Sequence, residues 1–199
     1  MDRTLKVALC SLTCNIAYSA YHLVLGIVTT SWWLLTLGVY YFILSIIRYF
    51  VLRAKTKRRF AIHFAGTMLM VLSLPLAGTV ILSVVRNRGH AFHMIIMIAM
   101  AAYAFTKITL ATINLVKSRR STSVTRLTLR NISFADALVS IFALQRSMLV
   151  SFEGMSESEI QIMNAVIGSV VCAAVFLLGA NLFRKEKMLY RRISLKSDQ

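Results

Sequence analysis

Residues 160–183, IQIMNAVIGSVVCAAVFLLGANLF, form an apolar run that contains no charged side chain. A helix rises about 1.5 Å per residue, so this run exceeds the ~30 Å hydrocarbon core of a bilayer. A long apolar run without alternation is typical of a membrane-spanning helix, not of a barrel strand. Across the whole chain 58% of the residues are hydrophobic and 15% are charged, a composition that argues against a soluble domain.

Further apolar runs of similar length precede this one. The predicted spans are residues 7–28, 32–52, 60–85, 91–116, 132–150 and 160–183. The fold class is therefore all-α, a polytopic integral membrane protein with a bundle of six transmembrane helices. We treat residues 1–199 as a single membrane domain that ends in a short basic cytoplasmic tail, residues 184–199. Spans joined by short loops are natural neighbours, so this layout favours three consecutive hairpins.

The net charge is +16, from 23 Lys and Arg against 7 Asp and Glu. The basic residues concentrate at the N-terminus, after the second and fourth spans, and in the tail. Arg48, just inside the second span, belongs to this cytoplasmic group by position. By the positive-inside rule, both termini are expected to be cytoplasmic. This asymmetry accounts for most of the net charge without a nucleic acid partner. Contact with anionic headgroups at the cytoplasmic face is expected.

Polar or small residues share one helical face in five of the six spans, at spacings of three and four. The first span carries Ser11, Asn15, Tyr18 and His22; the fourth carries Tyr103, Thr106, Lys107 and Asn114; the fifth carries Ser133, Asp136, Ser140 and Ser147. The third and sixth spans carry mainly glycine and small residues. Polar groups inside lipid turn towards other helices or a cavity. Helix packing is favoured for the fifth and sixth spans, whereas a hydrated pathway is equally compatible with the first and fourth.

Lys107 and Asp136 are the ionisable residues that lie deepest in these stripes. A charge inside a span costs roughly 2.5–3.5 kcal/mol or more, so we hypothesise an intramembrane ion pair or a proton-linked site. The opposing argument is that side chains lean towards their own helix N-terminus, which separates them on antiparallel helices. Separate snorkelling therefore stays open. The candidate pathway residues are Lys107, Asp136, Asn15, Tyr18, His22, Tyr103, Asn114 and Ser140.

Two further local predictions follow from the sequence. Arg146, near the outer end of the fifth span, is expected to snorkel to the interface. Ser156 and Glu159 have the spacing of a capping box, which predicts the start of the sixth helix.

No motif of a membrane enzyme occurs in the sequence: there is no G-x-S-x-G elbow, H-E-x-x-H helix or nucleotide-binding glycine loop. Asp136 is the only acid within a predicted span, so the spans offer no carboxylate cluster for a metal. We expect no enzyme activity, no cofactor and no metal. The polar stripes instead favour a small permease or channel for a small solute or ion. Lys107 would favour an anionic or zwitterionic solute.

Two alternatives remain open. The size, six spans and cytoplasmic termini resemble the substrate-capture components of energy-coupling-factor vitamin transporters. That resemblance implies an alanine pair spaced four apart on the first helix; here Ala17 and Ala20 are spaced three apart, and Ala61 and Ala65 lie in the third span. The other alternative is a non-transporting accessory or signalling protein. A homo-oligomer or a membrane partner subunit fits either function.

Several runs of sequence carry a second resemblance. They are SWW at 31–33, YAFTKI at 103–108, NISFADA at 131–137 and ALQRSM at 143–148, with the pair Tyr40 and Tyr41. Together they resemble a group of uncharacterised six-span membrane proteins of Gram-positive bacteria. The resemblance covers most of the chain and implies a location in the cell membrane, but it implies no particular activity.

Overall fold

The computed structural model describes residues 3–53, 58–86, 94–118, 124–151 and 155–197, and all of its regular structure within them is α-helical. The helices are α1 (Arg3–Val28), α2 (Trp32–Arg53), α3 (Arg58–Arg86), α4 (Met94–Ser118), α5 (Val124–Ser151) and α6 (Glu157–Ser197). The all-α prediction is confirmed for this part of the chain.

Five of these helices contain a stretch long and apolar enough to cross a membrane. The stretches are Ser11–Val28, Trp32–Arg53, Phe60–Leu82, Thr125–Ser151 and Glu157–Lys185. The described apolar part of α4, Met100–Ile113, is shorter. The chain therefore has the composition and helix lengths of a multi-pass membrane protein.

Local sequence signals predict the helix ends better than hydropathy predicts them. α6 begins with the expected capping box, in which the Ser156 backbone N–H donates to the Glu159 carboxylate at 2.9 Å. α5 begins at Val124, well before the predicted span, and α6 continues to Ser197 through the predicted tail. Arginine and lysine end an apolar run but are good helix formers, so the helices extend beyond the spans.

The helices pair in an order that differs from three consecutive hairpins. The most extensive contacts join α1 to α2, α4 to α5, and α3 to α6. The glycine face of α3 packs against α6. A Cβ at Gly179 would lie 2.9 Å from the Gly66 carbonyl oxygen. Such close approach of backbones is the packing function expected of small residues in membrane helices. The described parts of α3 and α4 make no comparable contact, so these consecutive helices do not pack closely against each other there.

The core lies between α2, α3 and α5, which all contact one another. Its largest buried side chains include Tyr41, Leu44, Leu69 and Phe142. α6 adds Val171, Val175 and Leu182 to this core, and both α1 and α6 also present apolar side chains outward, as expected of surfaces that face lipid. The polar residues on the inner faces of α1, α2, α4 and α5 are consequently enclosed.

Candidate functional site

Four polar residues from four helices meet inside the bundle, and we call them the central cluster. They are Asn15 of α1, Arg48 of α2, Lys107 of α4 and Asp136 of α5, with exposed fractions of 0%, 1%, 6% and 0%. The Asp136 oxygen Oδ2 is their common acceptor. It receives hydrogen bonds from Asn15 Nδ2 at 2.9 Å, from Arg48 Nη2 at 3.3 Å and from Lys107 Nζ.

A second set of hydrogen bonds fixes the partners of Asp136. Asn15 uses its amide oxygen as well as its amide nitrogen: Oδ1 accepts from the Tyr103 hydroxyl at 3.0 Å and from Lys107 Nζ. Arg48 donates to the Ser133 hydroxyl at 3.2 Å and to that of Ser11. Each contact joins two helices, so the cluster ties α1, α2, α4 and α5 together.

The ion pair between Lys107 and Asp136 is present in the structure. The lean of side chains towards their helix N-termini does not keep them apart, because the flexible lysine stem spans the offset. The hypothesis of pairing is thus confirmed as a contact, and separate snorkelling of the two charges is excluded in this conformation.

Arg48 is the one member of the central cluster that its sequence position does not predict. Its position next to basic residues placed it with the cytoplasmic charges, whereas the structure buries it beside Asp136. A signal existed: Tyr41, Ser45 and Arg48 are spaced four and three apart, so α2 also carries a polar stripe. The residues between these three are strongly apolar, so the polar stripe of α2 does not stand out in the sequence.

The charges of the central cluster do not balance. Arg48 and Lys107 share one carboxylate, so one formal positive charge is uncompensated within the cluster. The second oxygen of Asp136, Oδ1, is buried and has no hydrogen-bond partner among the described residues. An uncompensated charge away from water is costly. Arginine stays protonated in proteins, so only an added anion or loss of the Lys107 proton would restore balance.

An aromatic layer lies directly beside the cluster. Tyr18 of α1 stacks on Tyr103 of α4 with ring centroids 3.8 Å apart, and packs edge-on against Tyr41 at 5.1 Å. His22 follows one turn further along α1, its ring 4.1 Å from that of Tyr18. Lys107 Nζ lies 4.8 Å from the centre of the Tyr103 ring, a favourable cation–π position.

Side chains, rather than backbone packing, close the side of the bundle between α1 and α4. Over the described residues, these two helices are not among the closely packed pairs. The Tyr18–Tyr103 stack and the bonds of Asn15 to Tyr103 and Lys107 bridge them. We call this side the α1–α4 crevice. Moving α1 and α4 apart would break these side-chain contacts and would leave the glycine contact between α3 and α6 intact.

Most of the predicted pathway residues belong to this one network. Asn15, Tyr18, His22, Tyr103, Lys107, Asp136 and Ser140 are all connected through it. Ser140 joins it by donating to the Asp136 carbonyl at 2.8 Å and by its contact with the Tyr41 hydroxyl at 3.0 Å. The side chain of Asn114 lies outside the described residues.

The cluster holds two cationic groups against one carboxylate, an excess that favours an anion over a metal ion. Its charged donors are a guanidinium and an ammonium group, which repel metal ions and attract anions. In the described part of the chain, no three His, Cys, Asp or Glu side chains converge as metal ligands do.

No protein-family model matches the chain, and no curated protein or solved structure matches it. The resemblance to six-span proteins of Gram-positive bacteria therefore stays a prediction. The alanine pair with the spacing typical of a capture subunit, Ala61 and Ala65, is buried in the core and does not form a docking surface. Function is consequently inferred from the central cluster and its surroundings.

Proposed function

We propose that this protein is a small transporter of the bacterial cytoplasmic membrane that carries a small anion past the central cluster. In this proposal α4 also crosses the membrane, which makes six spans in all, and both termini are cytoplasmic. One observation carries the assignment: two buried cations share a single carboxylate inside an apolar bundle. A cluster that only held helices together would be more stable with balanced charge.

Charge balance couples the anion to a proton. With an anion bound, Lys107 is protonated and the cluster is neutral overall. When the anion leaves, Lys107 gives up its proton, since Arg48 cannot. Asp136 remains ionised throughout and holds both cations in place. The anion and the proton therefore move in the same direction.

The route for the anion is the α1–α4 crevice. The cluster is closed to solvent in this conformation, so transport requires a change of shape. Separating the Tyr18 and Tyr103 rings opens the crevice without disturbing the core of α2, α3 and α5. The aromatic layer then acts as the gate, and His22 lies one turn further along α1 from Tyr18.

A liposome assay tests the proposal. Purified protein is reconstituted with a pH-sensitive dye in the lumen, and chloride, nitrate, sulfate or methanesulfonate is added outside. These anions of strong acids do not carry protons through lipid by themselves. We expect at least one of them to acidify the lumen in a protein-dependent way, because anion and proton enter together.

Matched variants assign the flux to the cluster. Lys107→Gln and Arg48→Gln each remove one buried cation and should reduce the rate at least tenfold. Arg126→Gln removes an exposed cation from α5 and should leave the rate unchanged. Equal rates in Lys107→Gln and wild type, or no acidification by any of the anions with folded protein, would contradict the proposal.

A further inference from the structure

A cavity of about 300 Å³ lies apart from the central cluster, at the end of the bundle where α1 turns into α2. It is lined by Trp32, Trp33, Thr36, Pro75, Gly78, Thr79, Leu82 and Arg146. α2, α3 and α5 therefore all contribute to it. Trp32 at its rim is 69% exposed and Leu82 is also exposed, so the cavity opens on the face that meets lipid.

Arg146 is the single charged residue in this lining, and it is not used by the central cluster. Its exposed fraction is 6%, so the expected snorkelling to the interface is wrong in this structure. The guanidinium carbon lies 4.3 Å from the centre of the Trp33 ring, a cation–π contact. Its Nη1 is buried and has no hydrogen-bond partner among the described residues.

A buried guanidinium with an unused donor favours a negatively charged partner. Guanidinium groups bind phosphate with strong, paired hydrogen bonds. The rest of the lining is apolar or aromatic except for two threonine side chains. A site with one cation, apolar walls and an opening towards lipid matches a molecule that has one anionic group joined to hydrocarbon.

We infer that this cavity binds a phospholipid with a net negative headgroup, whose phosphate pairs with Arg146 and whose first acyl carbons lie against Trp32 and Leu82. A freely diffusing small anion would satisfy Arg146 but would leave the apolar walls without a partner. The volume accepts only part of a lipid, so the acyl chains extend along the outside of α2 and α3. This inference is independent of the proposed transport.

The chain offers a direct reporter, because its two tryptophans both line the cavity. Bromine atoms on an acyl chain quench tryptophan fluorescence only at near contact. Full-length protein is reconstituted in phosphatidylcholine vesicles with a minor fraction of dibrominated lipid, either phosphatidylglycerol or phosphatidylcholine. We expect brominated phosphatidylglycerol to quench at least twofold more than brominated phosphatidylcholine at the same fraction.

Variants attribute this preference to Arg146. Arg146→Gln should equalise the two brominated lipids, whereas Arg126→Gln, which loses an exposed positive charge at the other end of α5, should retain the preference. Arg146→Lys keeps the charge and should keep part of the preference; it also serves as the test if Arg146→Gln does not fold.

Three outcomes would overturn the inference. Equal quenching by the two lipids in wild type would show that the site does not select anionic lipid. A preference that persists in Arg146→Gln would place the anion elsewhere. A change in tryptophan emission with inorganic phosphate in pure phosphatidylcholine vesicles, without any preference between brominated lipids, would identify a free-anion site instead.

Discussion

At the scale of single residues, Asp136 connects α5 to three other helices, because one of its oxygens accepts hydrogen bonds from side chains of α1, α2 and α4. Asp136→Asn leaves Arg48 and Lys107 facing each other without a counter-charge. Breaking a buried pair in this way typically costs about 3–5 kcal/mol of stability. We expect a large loss, measured by thermal unfolding in detergent, while Glu157→Gln on the exposed start of α6 stays within about 0.5 kcal/mol of wild type.

A double variant checks that this loss comes from charge. Lys107→Gln combined with Asp136→Asn removes a cation with the anion, so its destabilisation should be smaller than the sum of the single effects. Strictly additive effects would show that the two side chains do not interact, contrary to the ion pair.

Lys107→Arg separates binding of an anion from its coupling to a proton. Arginine keeps the positive charge but does not lose its proton. We expect the transported anion still to raise the unfolding temperature of this variant, as bound ligands do. Lumen acidification in liposomes should fall to background. Wild-type acidification by Lys107→Arg would refute a role for the Lys107 proton.

Sequence spacing predicted most of the central cluster but not all of it. Asn15, Lys107 and Asp136 stand out because polar residues are rare in apolar spans and recur here at helical spacing. Arg48 was assigned to the interface because charge near a span end usually lies there, and only the three-dimensional register of α2 reveals its burial. Arg146 was misplaced for the same reason: sequence does not show which helix will cover a terminal arginine.

At the scale of helices, the contact of α3 with α6 depends on two glycines. A Cβ at Gly179 would meet the Gly66 oxygen at 2.9 Å and the Met70 nitrogen at 3.1 Å, both backbone atoms. Gly179→Ala should therefore destabilise the protein by roughly 1–3 kcal/mol, the usual cost of overpacking. Gly78→Ala is the matched control, since a Cβ at Gly78 meets nothing within 4 Å. Comparable losses of unfolding temperature in both variants would contradict this contact.

Helix existence followed from hydropathy, but helix pairing did not. Apolar runs predicted all six helices, because the lipid environment requires backbone hydrogen bonds to close within each segment. The partner of a helix depends on which faces are smooth enough for close approach. Gly66 and Gly179 bring α3 to α6, far apart in sequence, and this leaves α4 beside α5.

At the scale of the whole molecule, the distribution of basic residues predicts one orientation. If the chain crosses the membrane six times, tags at the N-terminus and the C-terminus lie on the same, cytoplasmic side. Added protease should spare both tags in right-side-out vesicles and remove both in inverted ones. Opposite behaviour of the two tags would mean an odd number of crossings, and would exclude α4 as the sixth span.

Membrane character and an enclosed polar interior were both predictable at this scale, because composition and spacing are properties of the chain alone. The excess charge of the central cluster was not, since it depends on Arg48 meeting Lys107 and Asp136 across three helices. In the proposed function, that excess charge is the feature that a fixed structural contact would not need.

The most direct test of the proposed transport site is whether water reaches the central cluster. Ser140→Cys and Ser73→Cys are made separately in a chain whose Cys10, Cys14 and Cys172 are replaced by alanine. Ser140 lies beside the cluster with an exposed fraction of 2%, and Ser73 lies between α3 and α6 with an exposed fraction of 6%.

Both variants are treated in membranes with a water-soluble, membrane-impermeant thiosulfonate. We predict labelling of Ser140→Cys and protection of Ser73→Cys, because in the proposed transport the α1–α4 crevice opens while α3 and α6 stay together. Equal protection at both positions would contradict it, since the central cluster would then be a static contact sealed from water.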